Sequence, residues 1–371
     1  MHIGVPKEIK NHEYRVGMTP TSVREAVAAG HKVSVQSGCG VGIGRSDDEY
    51  RKAGANIEAK PEALFEQCDM IVKVKEPQAT ERAQLRTGQI LFTYLHLAPD
   101  PEQTRDLVDS GAVCIAYETV TGPNGGLPLL APMSKVAGRM AVQAGAYALE
   151  HPHGGLGVLL GGVPGVDPAK VVIIGAGMVG SHAAHIAAGM GADVWVLDRN
   201  TDAIERHWQQ FGRTTNSVFS TADALEHHVL RADLVIGAVL IPGASAPKLI
   251  TKDMVKRMKP GAVFVDVAID QGGCSETSRA TTHEEPTYIV DDVVHYCVAN
   301  MPGGVPRTST YALNNVTLPH ILALANKGWK KALAEDPHLL AGLNVCNGKV
   351  TYREVAETLG YEYTDIQSVL Q

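Results

Sequence analysis

Residues 171–198, VVIIGAGMVGSHAAHIAAGMGADVWVLD, constrain this chain more than any other stretch. Residues 171–174 are a short run of β-branched side chains, which reads as a buried strand. It runs directly into Gly175-x-Gly177-x-x-Gly180. Residues 178–190 carry Ala, Ile and Met at helical spacing, with Gly189 and Gly191 at the close. A second strand, 192–197, ends on Asp198. A strand, a glycine turn, a helix and a second strand ending on an acid form a βαβ half with a phosphate-sized turn at its centre.

Each piece has a mechanical reason in a dinucleotide site. Gly175 permits the tight turn, Gly177 lets the backbone approach a pyrophosphate, and Gly180 lets the helix pack close to the strand. The helix N-terminus offers unpaired N–H groups to the anion. Asp198 follows Gly180 by 18 residues, where a carboxylate can accept from both ribose hydroxyls and would repel a 2′-phosphate. The expected cofactor is therefore NAD rather than NADP. Arg199 works against that preference, because a guanidinium can turn to a phosphate.

At 371 residues the chain suggests about two domains on a prior of ~150 residues each. The first ~130 residues alternate strand and helix, which implies a largely parallel sheet covered on both faces. Strands are expected at 3–5, 32–36, 70–74, 90–95 and 113–117, with helices at 47–53, 61–68, 81–86 and 101–108. A further helix starts at Thr19-Pro20, with Ser22 and Glu25 as a competing capping box, and ends at Gly30. A long helix at 133–150 and a glycine-rich stretch at 151–168 lead into the nucleotide motif. Strands near Val171, Val194, Ser217, Leu234, Val263 and Tyr296 would complete both mononucleotide halves.

Beyond Pro302 come a helical segment at 308–334, a hairpin signal at Asn347-Gly348 between 343–346 and 349–352, and a helix at 353–359. This piece is too short for a domain of its own and is expected to pack back on the first. The fold class is therefore α/β: a doubly wound parallel sheet (Rossmann) domain over 131–302, and a second, discontinuous α/β domain over 1–130 and 303–371, with a cleft between them.

A net charge of −7 gives no basic field for nucleic acid or an anionic membrane, so the expected partners are small molecules. The six cysteines are scattered without a CxxC pair, which fits reduced thiols in the cytoplasm rather than a disulfide or zinc framework. No run of ~18 apolar residues suggests a membrane span. The His151-x-His153 and His227-His228 pairs lack further spaced ligands and read as loop or surface histidines, so no metal is expected.

Open α/β sheets bind ligands at the carboxyl ends of their strands. That filter picks Lys75, His96 and Asp270, each one or two residues beyond an expected strand, and Arg15 in the loop after the first strand. Two fixed cations, one group titrating near neutrality and one carboxylate suit a small carboxylate substrate whose neighbouring carbon exchanges a proton and a hydride. Each has a plain alternative. Arg15 and Lys75 can be surface charges, His96 in YLHLAP a core histidine, and Asp270 a cap before Gly272-Gly273.

The segments IGVPKEIKNHEYRVGMTP, VKVKEP, YLHLA, LLAPMSKVAGRMA, VDVAIDQGGCSETSRATTHEEPTY and HYCVANMPGGVPRTSTYALNN resemble the alanine dehydrogenase family over nearly the whole length. The resemblance implies an NAD-dependent enzyme interconverting L-alanine with pyruvate and ammonium, and a hexamer. It implies that Arg15 and Lys75 hold the substrate carboxylate and that His96 and Asp270 act as acid and base. Implied cofactor contacts are Ser134, Met178, Val179, Asp198 and Ser220, then Val239 and Leu240. Further along they are Val267, Ala268, Ile269 and Asp270, then Arg279, and finally Val298, Ala299, Asn300 and Met301. Where the family often has a base shortly after the ribose acid, this chain has Ala203. Two rival readings remain: an opine or saccharopine-type reductase, and a non-catalytic NAD-binding subunit like that of a transhydrogenase. The full Arg15, Lys75, His96 and Asp270 set distinguishes the first reading from both.

Overall fold

Six parallel strands begin the chain: β1 (His2–Val5), β2 (Lys32–Gln36), β3 (Asn56–Glu58), β4 (Met70–Val72), β5 (Ile90–Thr93) and β6 (Val113–Ala116). In the computed structural model, which describes residues 1–239 and 246–370, they lie side by side in the order β3-β2-β1-β4-β5-β6. Every position of β4, β5 and β6 is buried, as expected of parallel strands with a layer on each face. The chain steps outward from β1 to β3 and then returns to β4 on the other side of β1. That reversal makes the β1/β4 crevice a topological switch point. Strand β3 was not among the expected strands. It is three residues long and half-exposed, too short to show a period of two.

The first helix, Pro20–Ala28, starts where Thr19-Pro20 indicated, with the Ser22 N–H donating to Thr19 Oγ1 at 3.2 Å. The competing start at Ser22 is not used, because its hydroxyl donates to Asn314 Oδ1 at 2.8 Å instead. The helix expected at 81–86 is Ala79–Arg82, drawn back by a capping box between Gln78 and Glu81.

The nucleotide motif lies in the second sheet: β7 (Lys170–Ile174), β8 (Asp193–Asp198), β9 (Asn216–Phe219), β10 (Leu234–Gly237), β11 (Val263–Asp266), β12 (Thr287–Val290) and β13 (Val293–Tyr296). Its order is β12-β13-β11-β10-β7-β8-β9. Apart from antiparallel β12, this is the same winding as in the first sheet, with the switch point between β7 and β10. Six strands were expected here. The seventh, β12, turns into β13 through Asp291 and Asp292, both at positive φ, a hairpin without the glycine that signals one. A long helix, Ala131–Ala148, precedes this sheet.

After Pro302 the helical segment divides into Pro306–Lys327 and Trp329–Glu335, interrupted at Gly328. The hairpin follows as β14 (Leu343–Cys346) and β15 (Lys349–Val350), with Asn347 and Gly348 at φ 49° and 80°, the signs of a type I′ turn. Strand β14 lies antiparallel on β6 and, with β15 paired to it, extends the first sheet to eight strands. The compact units are Met1–Met133 with Gly303–Gln371, and Ser134–Pro302. Among the described residues no helix is long and apolar enough to cross a membrane. All six cysteines are buried and unpaired.

Candidate active site

In the first unit, neighbouring parallel strands bring the selected groups to one edge of the sheet. Arg15 follows β1, Lys75 follows β4 and His96 follows β5, in the order in which those strands pair. Lys75 and His96 stand three residues past their strands rather than one or two, because β4 stops at Val72 and β5 at Thr93. The Thr93 hydroxyl donates to the Lys75 carbonyl at 3.0 Å and ties the two strand ends together.

Arg15 is 2% exposed, which removes the plain reading of a surface charge. The Glu13 carboxylate takes the Nε–H at 2.7 Å and an Nη2–H at 2.5 Å, while Nη1 donates to Met133 Sδ at 3.0 Å. Burial opposes the charged guanidinium, but the hydrogen bonds and charge of Glu13 outweigh it and raise the pKa above the ordinary arginine value. The side chain is thereby fixed as a charged fork. Lys75 is 14% exposed, with its Nζ 3.8 Å from Glu76 Oε2. Burial pushes the Glu76 carboxyl up, but Lys75 and Lys10 together bring it below its ordinary range.

His96 is no core histidine: its side chain is 45% exposed. Its backbone is left-handed at φ 50°, a conformation costing about 1–3 kcal/mol in a residue other than glycine. Glu118, two residues beyond β6, holds it there. Its Oε1 accepts the His96 N–H at 2.6 Å and the Leu95 N–H at 3.1 Å, and stands 3.8 Å from His96 Nδ1. The Tyr94 ring stacks on the imidazole at 5.9 Å between centroids. Glu13 and Glu118 are absent from the sequence reading. Glu118 carried the same signal as the others, a polar group just past a strand end, whereas nothing in the sequence marks Glu13 as the partner of Arg15.

In the second unit the glycine turn has the geometry its spacing implied. Gly175 takes φ 110°, and a Cβ added at Gly180 would overlap the Gly175 carbonyl oxygen. A Cβ at Gly177 would meet nothing within 4 Å, so there is open space over the N-terminus of the helix Met178–Gly189. This cradle and the carboxylate beside it fit a dinucleotide. Asp198, the last residue of β8, accepts from the Ala176 N–H at 2.6 Å and the Asn200 N–H at 2.8 Å. Arg199 donates from Nε to the Ser220 carbonyl at 3.2 Å, and the Ser220 N–H donates to the Asp198 carbonyl at 2.9 Å. Ala203 is buried, its N–H donating to Asn200 Oδ1, so this position serves the helix start.

Asp270 lies four residues past β11, exposed on the turn Val267–Gln271. The cap before Gly272 is made by Asp266, which accepts from Ala268 N–H at 3.0 Å, Cys274 N–H at 2.9 Å and Ser278 Oγ at 2.5 Å. Burial raises the Asp266 carboxyl above its ordinary range against these bonds. Val239 is partly buried just beyond β10, and Leu240 lies outside the described residues. Arg279 covers the Tyr288 ring at 4.0 Å. Val298 bridges to Thr281, Asn300 is left-handed at φ 61°, and Met301 is buried. Ser134 is partly buried near the start of the long helix. Among the described residues no group of three or more His, Cys, Asp or Glu is placed to hold a metal ion.

Two doubly wound α/β units, one with a dinucleotide cradle at its switch point and the other with cations and an imidazole at its own, define a nicotinamide-dinucleotide oxidoreductase. Comparison with known proteins gives the family. Residues 4–137 match the model of the alanine dehydrogenase/PNT N-terminal domain, and residues 141–353 match that of the C-terminal domain. An alanine dehydrogenase of Halomonas elongata is 62% identical over 370 residues, covering 100% of both chains. A solved L-alanine dehydrogenase superposes with a TM-score of 0.94 at 50% identity, over 97% of this chain and 99% of that one. A transhydrogenase from Sinorhizobium meliloti superposes with a TM-score of 0.83 at 26% identity, over 94% of this chain and 100% of that one. The chain belongs to the alanine dehydrogenase/PNT family. The C-terminal family model runs on to 353, whereas the compact second unit ends at Pro302, because the remaining chain adds its strands to the first sheet.

Proposed function

We propose that the chain catalyses the reversible, NAD-dependent oxidative deamination of L-alanine to pyruvate and ammonium. The observation that carries this reading is the delivery of Arg15, Lys75 and His96 to one sheet edge by neighbouring parallel strands. A charged fork held by Glu13 and a half-buried amine suit a carboxylate, and a small exposed imidazole beside them suits proton exchange at the neighbouring carbon.

In the oxidative direction Arg15 and Lys75 hold the substrate carboxylate. His96 and Asp270 take the proton released from the amino group as the C=N bond forms. They then draw a proton from the water that attacks the imine carbon, and return one to the departing ammonia. A dinucleotide held over Gly175, Gly177 and Gly180 would supply the acceptor for the hydride that leaves Cα. In the reverse direction His96 donates to the carbonyl oxygen of pyruvate as ammonia adds.

Asp198 supports NAD over NADP, because its carboxylate is fixed at the end of β8 by two backbone N–H groups and would face a 2′-phosphate as like charge. The proposed contacts at Ser134, the Val267–Gln271 turn and 298–301 belong to the same cofactor site.

The test is an assay of the purified protein with NADH, pyruvate and ammonium. Oxidation of NADH that needs all three, and that is much slower with NADPH, is the expected result. A chain that binds NADH but turns over nothing in that mixture would instead be a nucleotide-binding subunit.

A further inference from the structure

We propose that Glu118 is a positioning residue for His96, fixing the imidazole so that Nδ1 faces its carboxylate and Nε2 is the nitrogen that meets the substrate. The inference rests on the acid/base reading of His96 and goes beyond it to the group that sets its orientation.

Three observations converge on Glu118. Its Oε1 is held by two N–H donors, Leu95 at 3.1 Å and His96 at 2.6 Å, so the carboxylate has a fixed place. The same oxygen lies 3.8 Å from Nδ1, within ion-pair range though beyond a hydrogen bond. The backbone at His96 is left-handed, and a carboxylate capping its N–H is what keeps that turn from relaxing. The Tyr94 ring lies almost parallel to the imidazole, at an interplanar angle of 6° and 5.9 Å between centroids. With Nδ1 turned to Glu118, the ring presents Nε2 on its opposite edge, the same division of labour found wherever a carboxylate orients a working histidine.

The decisive variant is Glu118→Gln. Its amide oxygen still accepts from the two N–H groups, so the loop keeps its support while the charge is lost. The measurement is kcat and KM for pyruvate amination, with NADH affinity and Tm alongside. The expected result is a fall in kcat of about tenfold or more, with KM for pyruvate, NADH affinity and Tm near wild type, because the ring is still present but no longer oriented. Glu118→Asp keeps the carboxylate and is expected to recover part of the lost kcat. A folded Glu118→Gln enzyme with wild-type kcat overturns the assignment, as does a fall in Tm with kcat of the folded fraction unchanged. Failure of the underlying reading looks different: a folded His96→Ala enzyme with full turnover removes the acid/base role whatever Glu118 does.

Discussion

The Ala176 N–H donates to Asp198 Oδ2 at 2.6 Å, so the acid that ends β8 also holds the glycine turn that ends β7. One carboxylate thus has two tasks, and replacing it should separate them. Asp198→Ala is expected to lower the affinity for NAD about tenfold or more, because the turn and the ribose contact are lost together. Discrimination against NADP should fall at the same time, since the like charge is gone. The ratio of kcat/KM for the two cofactors checks this. An unchanged ratio would place Asp198 in the turn alone.

Lys73 and Lys75, two residues apart, should fail in opposite ways. Lys73 is fully buried between Glu8 Oε2 at 3.0 Å and Glu81 Oε1 at 2.7 Å. Removing its amine leaves two carboxylates buried without their cation. Lys73→Ala is expected to cost about 3–5 kcal/mol, seen as a fall in Tm on the order of 10 °C.

Lys75→Ala should leave Tm near wild type, because Glu76 keeps Lys10 as a partner. It should instead raise KM for pyruvate and lower kcat, with NADH affinity unchanged, since the amine is assigned to the substrate carboxylate. Titration of intrinsic fluorescence with NADH separates the cases. A parallel loss of NADH binding would remove Lys75 from the substrate site.

His207 gives a pH dependence of stability with a definite sign. It is 1% exposed with Nε2 2.8 Å from Thr215 Oγ1, and burial lowers its pKa below the ordinary imidazole value. The unfolded chain takes up a proton near pH ~6.5 that the folded chain resists, so this contribution is present above that pH and is lost as the pH falls through the folded value. Buried His295 and partly buried His320 are shifted the same way, mainly by desolvation. Tm is expected to fall between about pH 7.5 and about pH 5.5, and His207→Gln should fall less over that window from a lower start. Equal slopes in the two proteins would contradict the assignment.

The nucleotide half of the fold was legible because its signals are local. Gly175, Gly177 and Gly180 each answer to a backbone requirement within a few residues, and Asp198 sits at a distance fixed by one helix and one strand. The groups picked at strand ends in the first unit come to one edge for a related reason: β1, β4 and β5 are parallel, so their ends lie together. What escaped was pairing at long range. Glu118 meets His96 from 22 residues away, and Lys73 meets Glu8 across 65. Neither separation follows from a period, since each is set by which strands become neighbours. Strand β12 escaped because Asp291-Asp292 makes its turn without glycine.

The central claim is that His96 exchanges protons with the substrate, and the most direct test is single-variant kinetics on folded His96→Ala. With NADH, pyruvate and ammonium the variant is expected to lose about 10²–10⁴-fold in kcat/KM. Its Tm should fall only modestly, because the ring is 45% exposed and the Glu118 bonds to the Leu95 and His96 N–H groups do not depend on the side chain at position 96. A folded variant that turns over near the wild-type rate would contradict the account.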